Sequence, residues 1–215
     1  NWKKIISIGL LTLTTAIAAI GCGSSDHGES AAAPGSKAKE NIVNVGVTDS
    51  LGGLNPLTVD QTEINKNAIG LMFLPLMDMD DDLNFQPMLA DSITTEDNKN
   101  FIVHIDEDAM WSDGTPVTAA DLEFTVRRLA SPVINNTTML LYAFEGISED
   151  GFVEKGAQSV AGIQILDEKT VQFTAKDSMS LTTFLNTYAK YIQTLPKHIL
   201  EQYSEEELLT LDWFH

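Results

Sequence analysis

The segment from Ala109 to Phe124 constrains the fold more than any other. Trp111 closes an extended stretch with an aromatic large enough that it must be buried or stacked. Ser112-Asp113-Gly114-Thr115 carries turn chemistry: Asp bonds its own backbone, and Gly reaches positive φ without a Cβ clash. Thr118 then stands as an N-cap, with Asp121 where the acid of a capping box belongs. Strand, tight turn and capped helix follow one another, with Leu122, Val126 and Leu129 on one helical face. Nothing in the segment is a catalytic device.

Strand hairpins and helices are interspersed on either side of it, and the fold class is read as α/β, with mixed α and β segments. Val43, Val45 and Val47 share one face of a strand over 42–47, followed by a turn-rich loop from Thr48 to Pro56. A helix is predicted from about Thr62, with Ile64, Ala68, Leu71 and Met72 on its apolar stripe, ending at Pro75. Met77 to Met79 and Leu83 to Phe85 read as a strand pair around Asp80-Asp81-Asp82. Two further hairpins are predicted. One joins Ser92–Glu96 to Phe101–Asp106, with Phe101, Val103 and Ile105 on one face; the other joins Val160–Leu166 to Thr170–Ala175. Between them, 131–157 is irregular around an apolar island from Met139 to Phe144. A helix from Ser180 presents Leu181, Phe184, Leu185 and Tyr188. Leu195 to His198 reads as a turn, and Ser204 with Glu207 caps a last helix.

Charge narrows the partners. With 31 acidic and 13 basic side chains the net charge is −18, so phosphate backbones and anionic bilayers repel the chain and nucleic-acid binding is not expected. The single cysteine, Cys22, excludes an internal disulfide and a multi-cysteine metal site. The acid run at Asp78–Asn84 fails as a calcium loop, because Leu83 stands where the sharp-turn Gly belongs and Leu89 where the bidentate Glu belongs. The four histidines show no zinc spacing, and His104 and His198 read as surface residues. There is no nucleophile elbow and no phosphate-cradling glycine loop, so the chain is not expected to be an enzyme or to hold a cofactor.

The N-terminal part reads as an export device. Lys3 and Lys4 precede an apolar run from Ile5 to Ile20, which as a helix rises about 24 Å, short of the ~30 Å hydrocarbon core, and is interrupted by hydroxyls. Residues 1–21 therefore read as a signal peptide. Ala19-Ile20-Gly21-Cys22 resembles a bacterial lipobox, with Ala19 where Leu is preferred, and makes Cys22 the lipidation site. Residues 22–41 are poor in apolar side chains and read as a flexible tether. The first residue is Asn rather than Met, and the chain stops at Asp212-Trp213-Phe214-His215 in a helix-like context. A truncated chain is expected.

From Asn41 onward the chain resembles the bacterial extracellular solute-binding proteins of family 5, the oligopeptide-, dipeptide- and nickel-binding class. Leu54-Asn55-Pro56 is similar to the family's LDP/LNP loop, and Met72-Phe73-Leu74-Pro75-Leu76 stands where members have YEGL or YEPL. Pro87-Met88-Leu89-Ala90-Asp91-Ser92 resembles P.LA.SW, with Ile93 in place of Trp. Trp111 to Asp121 is close to WSDGTPVTAED. Asp167 to Val171 and Leu195 to Leu200 resemble D.YTV and LPKHIL.

The resemblance implies a type II periplasmic-binding-protein-like fold, a two-lobed clamshell of which only the N-terminal part of lobe I is present. It assigns 42–77 and 178–215 to lobe I and 78–177 to an inserted subdomain. It implies a monomer anchored by lipid to the outer face of the cytoplasmic membrane, capturing an oligopeptide or dipeptide, in preference to a nickel chelate, for an ABC transporter permease. A peptide- or pheromone-sensing lipoprotein is the alternative. The ligand-binding residues it suggests are Asp49, Ser50, Leu51 and Gly52 in the loop after the first strand, Val59 and Ile64, and Tyr142 in the apolar island.

Overall fold

Two hairpins fuse into one antiparallel sheet because the faces of their inner strands match. In a computed structural model, described for residues 45–48, 50–59, 62–139 and 141–214, four strands run β3 (Ala90–Thr94), β4 (Asn100–Ile105), β5 (Ile163–Ile165) and β6 (Thr170–Thr174). Their order across the sheet is β3-β4-β6-β5. Phe101 lies opposite Phe173, and Val103 opposite Val171. All four are fully buried, as alternation along β4 requires. At the tip of the first hairpin the Asp97 carboxylate accepts the N–H groups of Lys99 and Asn100 at 2.9 and 2.7 Å. That leaves Asn98 to take the left-handed conformation, φ 57°.

The Trp111 segment folds as its residues dictate. Trp111 N–H donates to the Thr115 carbonyl at 2.8 Å, Thr115 N–H to the Asp113 carboxylate at 2.9 Å, and Gly114 sits at φ 85°. Helix α2 (Ala119–Leu129) then lies against β5 and β6 with Leu122, Val126 and Leu129 buried, as predicted. The aromatic centre lies beside it. Phe101 stacks on Phe184 with centroids 4.4 Å apart, and Phe144 meets Phe173 and Tyr188 edge-on at 5.4 and 4.7 Å.

Several elements differ from expectation. The signal peptide, Cys22 and the tether lie outside the described residues, as do 42–44 of the first strand. Val45 and Val47 are exposed and in no strand, since no described strand lies alongside to pair with them. Helix α1 spans only Glu63–Gly70, capped by the Thr62 hydroxyl. Its buried face is Asn65 and Ile69, whereas Leu71 and Met72 follow the helix and are exposed. The chain leaves α1 through a tightened turn, Leu71 N–H to Ala68 and Met72 N–H to Ile69, well before Pro75.

The acidic hairpin forms with its second strand two residues later than predicted. Strand β1 (Met77–Met79) pairs with β2 (Phe85–Pro87), and Leu83 sits in the turn at φ 65°. The cause is Asp80, whose carboxylate accepts the N–H groups of Asp82 and Asn84 and the Gln86 amide at 3.0, 2.8 and 2.7 Å. Helix α3 (Leu181–Phe184), capped by Ser180, continues as a π-helical turn over Leu185–Ala189. The expected turn at Lys197 and His198 is the start of helix α4 (Lys197–Leu200), which Pro196 enters with φ −72°. Helix α5 (Glu205–Leu208) has the predicted Ser204–Glu207 capping box, and a 3-10 turn covers Asp212–Phe214. No helix among the described residues is long and apolar enough to cross a membrane.

Candidate functional site

Three buried asparagines hold the loop that precedes α1. The Asn65 side chain accepts the Gly52 N–H at 2.9 Å, which pins the loop to the helix. Asn55 accepts the Leu57 N–H at 3.0 Å and donates to the Leu208 carbonyl at 2.8 Å; Asn136 donates to the Leu57 carbonyl at 2.7 Å. Asn55 and Asn136 each satisfy a buried backbone group that regular structure leaves open. Their signal in sequence was slight: Asn55 lies in the Leu-Asn-Pro motif, while Asn65 and Asn136 fall at positions where periodicity reads nothing.

Of the residues singled out from sequence, Ser50, Leu51 and Gly52 lie exposed on this anchored loop, and Asp49 lies outside the described residues. Ile64 is half-buried, and Val59 is 6% exposed and packs in the core. Tyr142 is 46% exposed, although its neighbours Leu141 and Phe144 are fully buried. The fold thus brings the loop onto α1, and the apolar island onto the π-helical turn.

Between α1, the island and the π-helical turn lies a cavity of about 420 Å³. Lys66 lines it from α1, Thr138 from just before the island, Met139 from its start, and Asn186, Thr187 and Tyr188 from the π-helical turn. A π-turn widens the helix by one residue per turn and re-aims the side chains it carries, a device frequent at functional sites. Burial pushes the Tyr188 hydroxyl above its usual range, and the neighbouring Tyr142 adds to the effect, so Tyr188 stays a neutral donor. Of these polar lining residues the sequence singled out only Tyr188, and that as part of the apolar face of a helix; Tyr142 does not line the cavity.

A second cavity, of about 500 Å³, is lined by Trp111, Phe73, Leu74, Trp213 and neighbouring apolar residues. Trp111, expected to be buried, is half-buried and forms one wall, because no described residue covers its outer face. Beside it His198 is more than a plain surface histidine. Its Nε2 lies 2.8 Å from the Asp113 carboxylate, which this bond, ahead of that from the Thr115 N–H, lowers from 3.8 to about 2. His104 likewise pairs with Asp91 at 3.1 Å and Glu107 at 3.4 Å on the outer face of the sheet. Among the described residues no three His, Cys, Asp or Glu side chains converge as a metal site needs.

The chain belongs to the bacterial extracellular solute-binding proteins, family 5, whose middle-region profile matches residues 84–211. The periplasmic oligopeptide-binding protein OppA of Salmonella typhimurium is 28% identical over 122 residues, 56% of this chain and 22% of that protein. The dipeptide-binding protein DppE of Bacillus subtilis is 33% identical over 107 residues, 49% of this chain and 18% of that protein. The match therefore spans less than a quarter of either relative's length. In structure, Haemophilus influenzae OppA in complex with RPPGFSPFR superposes with a TM-score of 0.61 at 25% identity, covering 73% of this chain and 31% of that one. The fold expected from sequence, type II periplasmic-binding-protein-like, is the fold found, over the part of it that this chain covers.

Proposed function

We propose that the whole protein is an extracellular receptor that captures peptides and delivers them to an ABC import permease, binding without chemistry. In this reading Cys22 carries the lipid that anchors it to the outer face of the membrane. Residues 42–77 and 178–215 belong to lobe I, and 78–177 form a subdomain inserted in it. The ligand main chain runs along the loop from Asp49 to Gly52, strand-like against Ser50 and Leu51. Tyr142 offers an aromatic face to a ligand side chain, with Ile64 flanking the loop and Val59 supporting it from the core.

The observation that carries this reading is the docking of the exposed Ser50–Gly52 loop on Asn65. It holds backbone groups rigid at the rim of the structure, where an extended ligand can meet them. The relatives' names, oligopeptide- and dipeptide-binding, support a peptide as the ligand class. Calorimetric titration of the full-length protein with defined di- to pentapeptide pools tests it. Saturable binding with micromolar or tighter affinity is the expected result, and silence across all pools overturns it.

A further inference from the structure

The cavity between α1 and the π-helical turn runs against the charge of the chain. Acidic side chains outnumber basic ones by 31 to 13, yet among the described residues Lys66 lines this cavity and no carboxylate does. The other polar side chains facing it, the Asn186 amide and the hydroxyls of Thr138, Thr187, Tyr188 and Tyr191, can all donate. Among the described residues the side chains of Asn186 and Thr187 have no hydrogen-bond partner, and both are exposed. Lys66 itself is paired only with Glu63, one turn back on the same helix and outside the cavity lining. The Glu63 side chain is 81% exposed, and a surface pair of that kind holds its lysine weakly. An ammonium with a weak partner, set among neutral donors, suits a group that accepts several hydrogen bonds and carries negative charge.

We infer that Lys66, with the Asn186 amide and the Thr187 hydroxyl, forms a subsite for a carboxylate of the bound ligand and so sets a preference for acidic over neutral ligands. This rests on the peptide-receptor reading above. The carboxylate is supplied either by the ligand's C-terminus or by an acidic side chain. Long-range repulsion from the acidic surface slows the approach of such ligands, and the subsite then selects among those that arrive.

The test is titration of the full-length protein with two matched probe pairs: Ala-Ala-Ala against its C-terminal amide, and Ala-Glu-Ala amide against Ala-Gln-Ala amide. The pair in which the acid binds about tenfold tighter than its neutral partner identifies the source of the carboxylate. Lys66→Gln is expected to collapse that ratio to near one, Lys66→Arg to retain most of it, and Glu63→Gln to raise it severalfold by freeing the ammonium. Melting curves of the three variants confirm that each is folded. Equal binding of both members of both pairs, or a ratio unmoved by Lys66→Gln, overturns the subsite and leaves the receptor reading standing. Failure of every probe to bind, together with silence across the peptide pools, takes down both.

Discussion

The Oδ1 atom of Asp121 accepts the backbone N–H of Lys197 across 2.8 Å, tying the first turn of α2 to the entry of α4. Its other oxygen, Oδ2, accepts both the N–H and the hydroxyl of Thr118 at 2.8 and 2.9 Å. One turn along α2, the Thr125 hydroxyl donates to the Asp121 carbonyl and accepts the Leu195 N–H, each at 2.8 Å. The two most distinctive motifs of the sequence, one around Trp111 and one around Pro196, are therefore a single hydrogen-bonded unit. Asp113 and His198 add a third tie at its edge. The Trp111 segment starts a helix and also clamps it to a distant part of the chain.

Removing the two halves of this cap should cost different amounts. Thr118→Ala loses one hydroxyl and is expected to destabilise by ~1 kcal/mol. Asp121→Ala removes the acceptor for three donors from a residue 4% exposed, leaving the part-buried Lys197 N–H unpaired. That should cost ~3 kcal/mol or more. Urea denaturation of the full-length protein measures both; equal losses would mean that the Lys197 bond contributes nothing.

Acid should weaken the fold through two surface turns. The Asp113 carboxyl is lowered to about 2, first by the hydrogen bond with His198, and Asp97 to about 2, first by the Asn100 N–H. Both lie below the ordinary value of 3.8, so the stability they contribute is complete above that pH and disappears as pH falls through 2. Asp113→Asn and Asp97→Asn should each flatten the stability profile of the wild type across that window. Their deficits against wild type should be largest above pH 4 and vanish at the acid end. A constant deficit at all pH values would show that neither carboxylate titrates as the geometry requires.

What could be read from sequence was local. The Thr118–Asp121 cap, the turn at Asp113-Gly114, the Ser204–Glu207 box and the alternation in β4 each depend on residues a few positions apart. What could not be read joins distant positions. Nothing in the chain announces that Asp121 will meet Lys197, or that Asn55 will reach Leu208. The π-helical turn over Leu185–Ala189 escapes a 3.6-residue period because it differs from an α-helix by one residue in a single turn. Leu71 and Met72 were placed on the apolar stripe by spacing alone, and spacing cannot say which apolar side chains meet another surface. Tyr142 stood out only through the family resemblance, whereas Lys66 and Asn186 acquire meaning only once the fold puts them around one cavity.

Two glycines should respond oppositely to alanine. A Cβ on Gly162 would lie 2.7 Å from the backbone N and O of Glu145 and 2.9 Å from the Thr174 carbonyl, so the β5–β6 hairpin and the island cannot both keep their places. Gly162→Ala is expected to cost ~3 kcal/mol. Gly70, the last residue of α1, has nothing within 4 Å of the same position. Gly70→Ala should leave stability unchanged or raise it by about 0.5–1 kcal/mol. Thermal melts of the two variants decide this, and a stable Gly162→Ala would mean that the close approach of Glu145 is not rigid.

The proposed ligand face separates contact from support at Tyr142 and Val59. Tyr142 is half out of the surface although its neighbours Leu141 and Phe144 are fully buried, so truncating it removes little packing. Tyr142→Ala should melt within a degree or two of wild type and bind peptide about tenfold more weakly. Val59 packs in the core, so Val59→Ala should lose ~2 kcal/mol of stability through the missing methyl groups and the space they leave. Its peptide affinity, measured well below the melting temperature, should stay near that of wild type. Calorimetry and melting on the same two full-length variants give the four numbers. The reverse pattern, weakened binding in Val59→Ala and lowered melting in Tyr142→Ala, would move the ligand from the Tyr142 side of the loop to the side Val59 supports.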